Sequence, residues 1–397
     1  MVSLIKEIYL MKVIKDVSLS AVAAGFVAVL IGFASSVAIV FQAADMAGAD
    51  AAMKVSWIMA LGLGMGATCF FLSLWYKSPV ITAWSTPGAA LLATSLNGAT
   101  YAEAIGVFMF AGGLMLLLGI TGLFDRLMRW IPLPIACAML VGVLFNFGVS
   151  IFTSLETDSL IVAVMMVTYL VCKVFLPRYA VIMVLVAGVV MVLLQPHASF
   201  NDIPISIGAM SFVSPEWNTS LILGVGIPLF IVTLSSQNIP GVAVMRASKY
   251  DTPVSNIISW TGVSTVLLAP FGGFAFNLAA ITAAICSNEE CHKDPSKRYI
   301  AGLSAGIFYA LAGLGGATVV GLFAAFPKTM IAALAGIALL GTISANLKAA
   351  FDEERYREPA LITFLTTVSG VSFFGVASAF WGISFGLTVL LIQNLRK

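Results

Sequence analysis

The sequence predicts an all-α integral membrane protein with fourteen transmembrane segments, arranged as two inverted repeats of seven. Three observations lead to this prediction: the hydrophobicity of the chain, the alternation of basic residues between its apolar runs, and a weak internal repeat. Of the 397 residues, 60% are hydrophobic and only 10% are charged, with a mean hydropathy of +1.04. Soluble domains carry about 25% charged residues. This chain therefore lacks the polar surface that a soluble protein of its size needs.

Composition also excludes several classes of function. A formal net charge of +2 gives no reason to expect nucleic-acid binding. The five cysteines are odd in number and lie mostly in apolar runs, so they indicate no disulfide framework. Cys286, Cys291 and His292 are close in sequence, but their spacing matches no standard metal-binding pattern. We therefore expect neither a metal nor a cofactor.

Fourteen apolar runs are long enough to cross a bilayer. They cover residues 18–42, 54–75, 79–98, 103–124, 131–153, 159–175, 179–195, 219–242, 254–269, 270–287, 299–326, 329–347, 359–376 and 378–395. Residues 1–17 lack the apolar core of a cleavable signal and are expected to form a short cytoplasmic lead. Residues 196–218 form the predicted outer linker between repeat 1, residues 18–195, and repeat 2, residues 219–397.

The basic residues test this count independently. If the N-terminus is cytoplasmic, all but two of the 20 lysines and arginines fall in cytoplasmic segments. The two exceptions are Lys54 and Lys328. Cytoplasmic loops of membrane proteins are enriched in Lys and Arg. The pattern therefore predicts fourteen spans with both termini in the cytoplasm.

The two halves of the chain also match each other weakly. The segment from Gly119 to Pro132 is echoed by the one from Gly313 to Pro327, and residues 138–142 are echoed by 332–336. Because each half contains an odd number of predicted spans, the two halves must run in opposite directions. The sequence therefore predicts inverted repeats of the kind found in many secondary transporters.

The third predicted span is irregular. Pro79 and Pro87 bracket a short run rich in strand-forming residues, and the helix that follows begins near Gly88. Ser85 or Thr86 is suited to be its N-cap, and Pro87 fits the first helical turn. We predict half a strand followed by half a helix, with the helix N-terminus near the middle of the membrane.

The tenth predicted span repeats this design. Pro270 corresponds to Pro79, residues 272–276 form the expected extended part, and Asn277 is the expected N-cap of a helix beginning at Leu278. The alternative for either stretch alone is a helix kinked by proline. Two broken spans in corresponding positions of two halves are the best sequence indication of a transporter's substrate site.

Charge is absent from the interior of every predicted span, which leaves helix N-termini and neutral side chains to stabilise a bound anion. Polar residues cluster in spans 1 and 8, and aromatic residues flank both helix ends. The alternative for the serines is a bond to their own helix, and for the aromatics ordinary packing. Together they suggest a site for a small aromatic carboxylate. The candidate substrate-binding residues are Ser35, Ser36, Phe41, Trp84, Ser85, Thr86, Gly88, Ser236, Gln237, Asn238, Phe274, Phe276, Asn277 and Leu278.

Several of these segments resemble the benzoate/proton symporter (BenE) family of bacterial inner-membrane transporters. The similarity is carried by residues 82–92 (TAWSTPGAALL), 34–39 (ASSVAI), 236–241 (SQNIPG) and 280–286 (AITAAIC), and it covers nearly the whole chain after residue 17. The resemblance implies the seven-plus-seven fold shared with uracil and sulfate-type transporters. In that fold a core domain, spans 1–4 and 8–11, carries the substrate past a gate domain, spans 5–7 and 12–14, in an elevator-like motion, commonly within a homodimer.

The resemblance thus implies import of benzoate with a proton across the bacterial inner membrane. One departure affects proton coupling. Nucleobase transporters of the wider fold place glutamates on spans 8 and 10, where this chain has Gln237 or Asn238 and Asn277. The other interpretations are a transporter of a nucleobase or an inorganic anion, an anion channel, or a non-transporting membrane scaffold. An enzyme is not expected, because the spans offer no nucleophile, base or metal cluster.

Overall fold

The structure, a computed structural model, describes residues 13–123, 132–194, 206–289, 291–371, 373 and 377–395. Residues 1–12 of the predicted lead and residues 196–205 of the predicted linker lie outside these ranges. The helices of the described part are α1 Leu19–Met46, α2 Ala51–Tyr76, α3 Thr86–Ser95, α4 Tyr101–Thr121, α5 Leu133–Thr157, α6 Ser159–Phe175, α7 Ala180–Leu193, α8 Thr219–Arg246, α9 Val254–Leu268, α10 Ile281–Ser287, α11 Tyr299–Leu314, α12 Gly316–Ala324, α13 Lys328–Phe351, α14 Arg357–Val368 and α15 Ser378–Leu395. The strands are β1 Thr82–Trp84 and β2 Phe276–Leu278.

Many of these helices are suited to a membrane. Among the described residues, seven helices are individually long and apolar enough to cross one, and nine spans result if each of two bent pairs is counted as one. The bends lie within α1, at 41°, and between α11 and α12, at 62°. Each of the fourteen predicted apolar runs overlaps a helix. The all-α membrane fold class is confirmed, whereas the count of fourteen crossings stays a prediction.

Helix α8 departs from regular α-helical geometry at two places. Its π-helical segments are Ile222–Gly226 and Leu234–Asn238. Pro228 follows the first segment and Pro240 follows the second. A proline has no backbone N–H and clashes with the carbonyl four residues earlier, so the wider π turn relieves a conflict that a regular helix would contain. Such turns are frequent at functional sites, and the second one contains Gln237.

The helices pack in two groups. The first helix group, α1–α4 with α8–α12, is held together mainly by contacts of α2 with α11, α4 with α9, and α1 with α3 and α11. The second helix group, α5–α7 with α13–α15, relies on contacts of α5 with α13 and α14, α14 with α15, and α6 with α7. The two groups contain the same spans as the predicted core and gate domains. The roles of core and gate stay a prediction.

Small residues bring helices of the first group unusually close. Gly62 on α2 lies against Gly313 on α11, and Gly66 lies against Gly306 one to two turns further along. A Cβ atom at Gly62 or Gly66 would collide with backbone atoms of α11. Backbone-to-backbone packing of this kind is the usual way in which membrane helices associate without a hydrophobic driving force. It makes α2 and α11 a single unit.

Candidate functional site

A central cavity of about 520 Å³ lies between the two helix groups. The first group lines it with α1, α2, β1, α11, the π segment of α8, and the starts of α3 and α10, while the second group contributes α6, α7 and α13. Small-molecule sites typically have volumes of about 300–1,000 Å³. Because both groups form its walls, a movement of one group relative to the other would change access to the cavity.

The two strands lie next to this cavity, and β1 contributes Ala83 and Trp84 to its lining. They form an antiparallel ladder that pairs Thr82 with Leu278, Ala83 with Asn277, and Trp84 with Phe276. Two further backbone bonds extend the ladder, from the Ser85 N–H to the Ala275 carbonyl (3.1 Å) and from the Ala279 N–H to the Ile81 carbonyl (2.9 Å). Since the strands are antiparallel, α3 and α10 leave the ladder at opposite ends. The starts of both helices still reach the cavity.

The start of α3 is capped by its own sequence. Ser85 is the N-cap, as predicted, and its Oγ accepts the N–H of Gly88 (3.0 Å). Pro87 has no N–H, and the Ser85 N–H is used by the ladder. A helix leaves the backbone N–H groups of its first turn without intrahelical partners. At the start of α3, the Thr86 N–H is therefore the one such group without an acceptor among the described residues. Thr86 lines the cavity, whereas Ser85 and Gly88 are buried behind it.

The start of α10 differs from the prediction. Asn277 is not an N-cap, because the ladder keeps the chain extended through Leu278 and the helix cannot begin before the ladder ends. Helix α10 begins at Ile281, and its N-cap residue Ala280 provides no side-chain hydrogen bond. Asn277 Nδ2 instead donates to the Ala275 carbonyl (2.8 Å). Within the described part of the chain, Asn277 Oδ1 has no hydrogen-bond partner.

Two neighbouring amides of α8 have different environments. Gln237 lines the cavity, and its side chain forms no hydrogen bond with any residue that the structure describes. Asn238 is buried, and its Oδ1 accepts the N–H of Leu278 (3.0 Å). Its Nδ2 lies 3.6 Å from the sulfur of Met115. Asn238 thus binds α8 to β2, while Gln237 is available to a ligand.

The hydroxyls of α1 and α8 are largely engaged within their own helices. Trp84 Nε1 donates to Ser36 Oγ (2.8 Å), and the Ser36 hydroxyl donates to the Gly32 carbonyl (2.8 Å). Ser35 also donates to Gly32 (3.2 Å), and Ser236 donates to the Val232 carbonyl. These serines line the cavity as hydrogen-bond acceptors. Trp84 meets Phe33 edge to face, with ring centroids 4.8 Å apart, so its indole is fixed on two sides.

Two hydroxyls that line the cavity lack partners. Tyr309 on α11 is 1% exposed and Thr282 in the first turn of α10 is 6% exposed. Neither hydroxyl makes a hydrogen bond to a described residue. An unsatisfied buried hydroxyl costs about 1–3 kcal/mol, so both groups favour a polar ligand. The sequence prediction missed both, although Tyr309 is a polar residue within an apolar run.

The second helix group supplies residues that the sequence prediction also missed. Lys173 and Tyr169 on α6 and Thr342 and Asn346 on α13 line the cavity. Among the described lining residues there is no Asp or Glu, and Lys173 is the one charged side chain. The cavity therefore carries a positive formal charge and neutral donors.

The structure thus brings six of the predicted residues to the cavity: Ser35, Ser36, Trp84, Thr86, Ser236 and Gln237. Seven lie buried outside the lining: Ser85, Gly88, Asn238, Phe274, Phe276, Asn277 and Leu278. Phe274 packs against Trp57 and Phe108. Phe41 lines a different cavity, where its ring is 5.1 Å from that of Phe323.

Three comparisons relate this architecture to known proteins. The chain is 47% identical over 372 residues to the inner membrane protein YdcO of Escherichia coli (strain K12), covering 94% of this chain and 95% of that one. It is 42% identical over 386 residues to the benzoate membrane transport protein of Acinetobacter baylyi (strain ATCC 33305 / BD413 / ADP1), covering 96% and 98%. The transmembrane domain of the cyanobacterial bicarbonate transporter BicA has a similar fold, with a TM-score of 0.56 at 17% identity over 94% of this chain and 96% of that chain.

The profile of one family spans almost the entire sequence. It is described as "Benzoate membrane transport protein" and matches residues 15–392. This family and the two relatives consist of membrane proteins rather than enzymes. The chain belongs to the benzoate membrane transport protein (BenE) family, whose members are multi-pass transporters of the bacterial inner membrane.

Proposed function

We propose that this protein imports benzoate, or a closely related small aromatic carboxylate, together with a proton, by an elevator-like movement of the first helix group against the second. The observation that carries the proposal is the charge of the central cavity, whose described lining contains one lysine and no carboxylate. Such a lining favours an anion. The 42% identical relative is named a benzoate membrane transport protein, which supports the choice of benzoate.

The lining also suggests how the substrate is held. The two partnerless hydroxyls, on Thr282 and Tyr309, would donate to the substrate carboxylate, and charge-assisted hydrogen bonds of this kind are about twice as strong as neutral ones. Gln237 and the Thr86 N–H add further donors. The indole of Trp84 offers the ring an aromatic wall. The site thus combines a flat apolar wall with convergent donors, the usual composition of a small-molecule pocket.

Proton coupling would not require a protein carboxylate. Because the described lining contains none, we infer that the substrate binds as a carboxylate and that this group then takes up the proton within the site and carries it across. Uptake of labelled benzoate into proteoliposomes should then accelerate when the outside is made acidic. Uptake that is indifferent to an imposed pH gradient would reject symport.

The elevator-like movement is supported by the position of the cavity at the contact between the helix groups. The first group would move as the core domain and the second would act as the gate domain. Cysteine pairs placed across this contact, with one cysteine in each helix group, should block transport when they are cross-linked. Unchanged uptake after complete cross-linking would contradict the movement. Both termini would lie in the cytoplasm, as the distribution of Lys and Arg suggests, and a homodimer is the proposed assembly.

Substrate class is best tested with the purified protein. A panel containing benzoate, cyclohexanecarboxylate, benzyl alcohol, uracil, sulfate and bicarbonate should be compared by thermal stabilisation of the protein. We expect benzoate to give the largest shift, because it is the one member of the panel that presents both an aromatic ring and a carboxylate. A larger shift with uracil or an inorganic anion would identify another substrate class. Counterflow of benzoate would distinguish a carrier from a channel or a scaffold.

A further inference from the structure

A second cavity, the Phe41 cavity, lies elsewhere along the contact between the two helix groups. Its volume is about 910 Å³, and α1, α2, α3, α5, α12 and α13 contribute to its walls. It contains both lysines that depart from the cytoplasmic pattern of basic residues, Lys54 and Lys328. The structure thus brings together two residues that are 274 positions apart in the sequence.

One wall of the Phe41 cavity is aromatic. The rings of Phe41 and Phe323 are 5.1 Å apart at 38°, and those of Phe323 and Phe326 are 5.5 Å apart at 71°. Phe147 of the second helix group also lines the cavity. Rings at these separations interact favourably through offset and edge-to-face contacts, and a ligand ring could join the same arrangement.

The lining of the Phe41 cavity holds two aspartates and two lysines, and three of these four groups have local partners. The ammonium group of Lys54 pairs with the carboxylate of Asp45. The carboxylate of Asp50 caps α2 and accepts the N–H of Met53 (2.8 Å). Lys328 makes no ion pair with a described residue, and it is the first residue of α13, whose N-cap Pro327 provides no side-chain bond. A lysine at a helix N-terminus adds to the positive end of the helix dipole, so this point of the cavity attracts an anion.

Four helices, α1, α2, α3 and α13, line both cavities. Helix α1 lines the central cavity at Ser36 and the Phe41 cavity from Phe41, and α13 lines them at Ile337 and Ala332 respectively. The intervening residues are buried, including Val37–Val40 on α1 and Ala333–Gly336 on α13. Five helical residues span about 7.5 Å. These buried residues form a thin closed layer between the two cavities.

We propose that the Phe41 cavity is a second binding site for a small aromatic carboxylate, on the side of the closed layer opposite the central cavity. The ring would stack against Phe41, Phe323 and Phe326, and the carboxylate would face Lys328 at the start of α13. The choice of ligand rests on the proposed function. The site would hold substrate on the outer side of the membrane before the first helix group moves.

Protection of an engineered thiol tests this proposal directly. All five native cysteines are buried, so Ala324→Cys, at an exposed position of the Phe41 cavity, gives a single accessible reporter. The probe is a hydrophilic maleimide applied to protein in lipid nanodiscs, with and without benzoate. We expect benzoate to slow the labelling several-fold. Ala52→Cys, exposed on α2 but outside the cavity lining, is the matched control and should not be protected.

The same measurement in a Gln237→Ala background separates the two sites. Protection of Ala324→Cys should persist there, because the ligand that blocks the thiol lies in the Phe41 cavity. Adding Lys328→Gln should raise the benzoate concentration needed for half protection by about threefold to fivefold, the value of a partly exposed ion pair, and Lys328→Arg should restore it. Protection that disappears with Gln237→Ala, or that benzyl alcohol provides equally well, would overturn the proposal.

Uptake assays distinguish this failure from a failure of the proposed function. If wild-type proteoliposomes take up benzoate while Ala324→Cys stays unprotected, only the second site is contradicted. If the wild-type protein neither takes up nor binds benzoate, the proposed substrate itself is wrong.

Discussion

The two strand–helix segments, β1–α3 and β2–α10, have the same plan but end differently. In β1–α3, Ser85 closes the first turn of the helix with its own side chain. In β2–α10, no side chain caps the helix, and Thr282 in its first turn has a hydroxyl without a partner among the described residues. The first segment therefore leaves only the backbone N–H of Thr86 for a ligand, whereas the second leaves a side-chain hydroxyl. The two strand–helix segments therefore provide different groups to the site.

The largest effect is expected from removing the two hydroxyls on the β2–α10 side of the cavity. The double variant Thr282→Val with Tyr309→Phe should weaken benzoate binding by about 100-fold or more, because each hydrogen bond to a charged group is worth about 1.5–3 kcal/mol. Isothermal titration of the purified protein would measure the loss. Thr233→Val with Tyr101→Phe is the matched control, since it removes two buried partnerless hydroxyls that do not line the cavity. Equal losses of affinity in both double variants would show that the hydroxyls of Thr282 and Tyr309 do not bind benzoate directly.

The next effect concerns the attachment of β2. Asn238→Ala removes the acceptor of the buried Leu278 N–H, and an unsatisfied buried donor costs about 1–3 kcal/mol. We expect a lower thermal unfolding temperature. The neighbouring variant Gln237→Ala should leave the unfolding temperature almost unchanged while it weakens benzoate binding, because Gln237 has no partner among the described residues. If Gln237→Ala lowered the unfolding temperature and Asn238→Ala weakened only benzoate binding, the roles inferred for these two amides would be wrong.

A smaller effect is expected at the cap of α3. Ser85→Ala should reduce the stability of the protein by about 0.5–2 kcal/mol, whereas Ser85→Gly should cost only a few tenths, because glycine is tolerated at an N-cap. Chemical unfolding in detergent would measure both variants. Because Ser85 does not line the cavity, benzoate affinity should change less than stability. A loss of affinity as large as that of the Thr282 and Tyr309 double variant would show that β1–α3 and β2–α10 contribute equally to benzoate binding.

The smallest effect is expected at Asn277. If this residue were an N-cap directed at the substrate, Asn277→Ala would abolish most binding. In the structure its side chain contacts the Ala275 carbonyl and lies outside the cavity lining. We therefore expect benzoate affinity within about threefold of wild type, because the variant loses a local neutral hydrogen bond of about 0.5–1.5 kcal/mol. Titration with benzoate would detect a larger change.

These contrasts show where the sequence was informative. The Ser85 cap was predictable because capping is local: the serine, the proline and the glycine lie within four residues. The start of α10 was not, because the extended state of Asn277 and Leu278 depends on a partner strand nearly 200 residues earlier. A cap rule cannot anticipate a ladder that forms only after the chain has folded.

The lining of the central cavity was partly predictable for a related reason. Ser36, Trp84 and Gln237 were recognised as polar or amphipathic residues in apolar spans. Tyr309 and Lys173 were missed because their position at the cavity depends on how α11 and α6 pack, and no short spacing encodes that packing. Phe41 was placed at the substrate site as one of the aromatic residues around the two helix ends, but it lies five residues beyond Ser36 on α1 and lines the other cavity.

The second π segment of α8 has a consequence for the length of the chain. A π turn closes each hydrogen-bonded ring with one residue more than an α turn, so residues 234–238 contain, in effect, one supernumerary residue. Deleting Ser235 would remove this residue and rotate everything on one side of it by about 100°. The conflict at Pro240 would then return, and Asn238 would move away from the Leu278 N–H. We expect such a shortened protein to unfold at a lower temperature than wild type and to bind no benzoate. Gene variants that lack one codon here would then encode destabilised and inactive transporters.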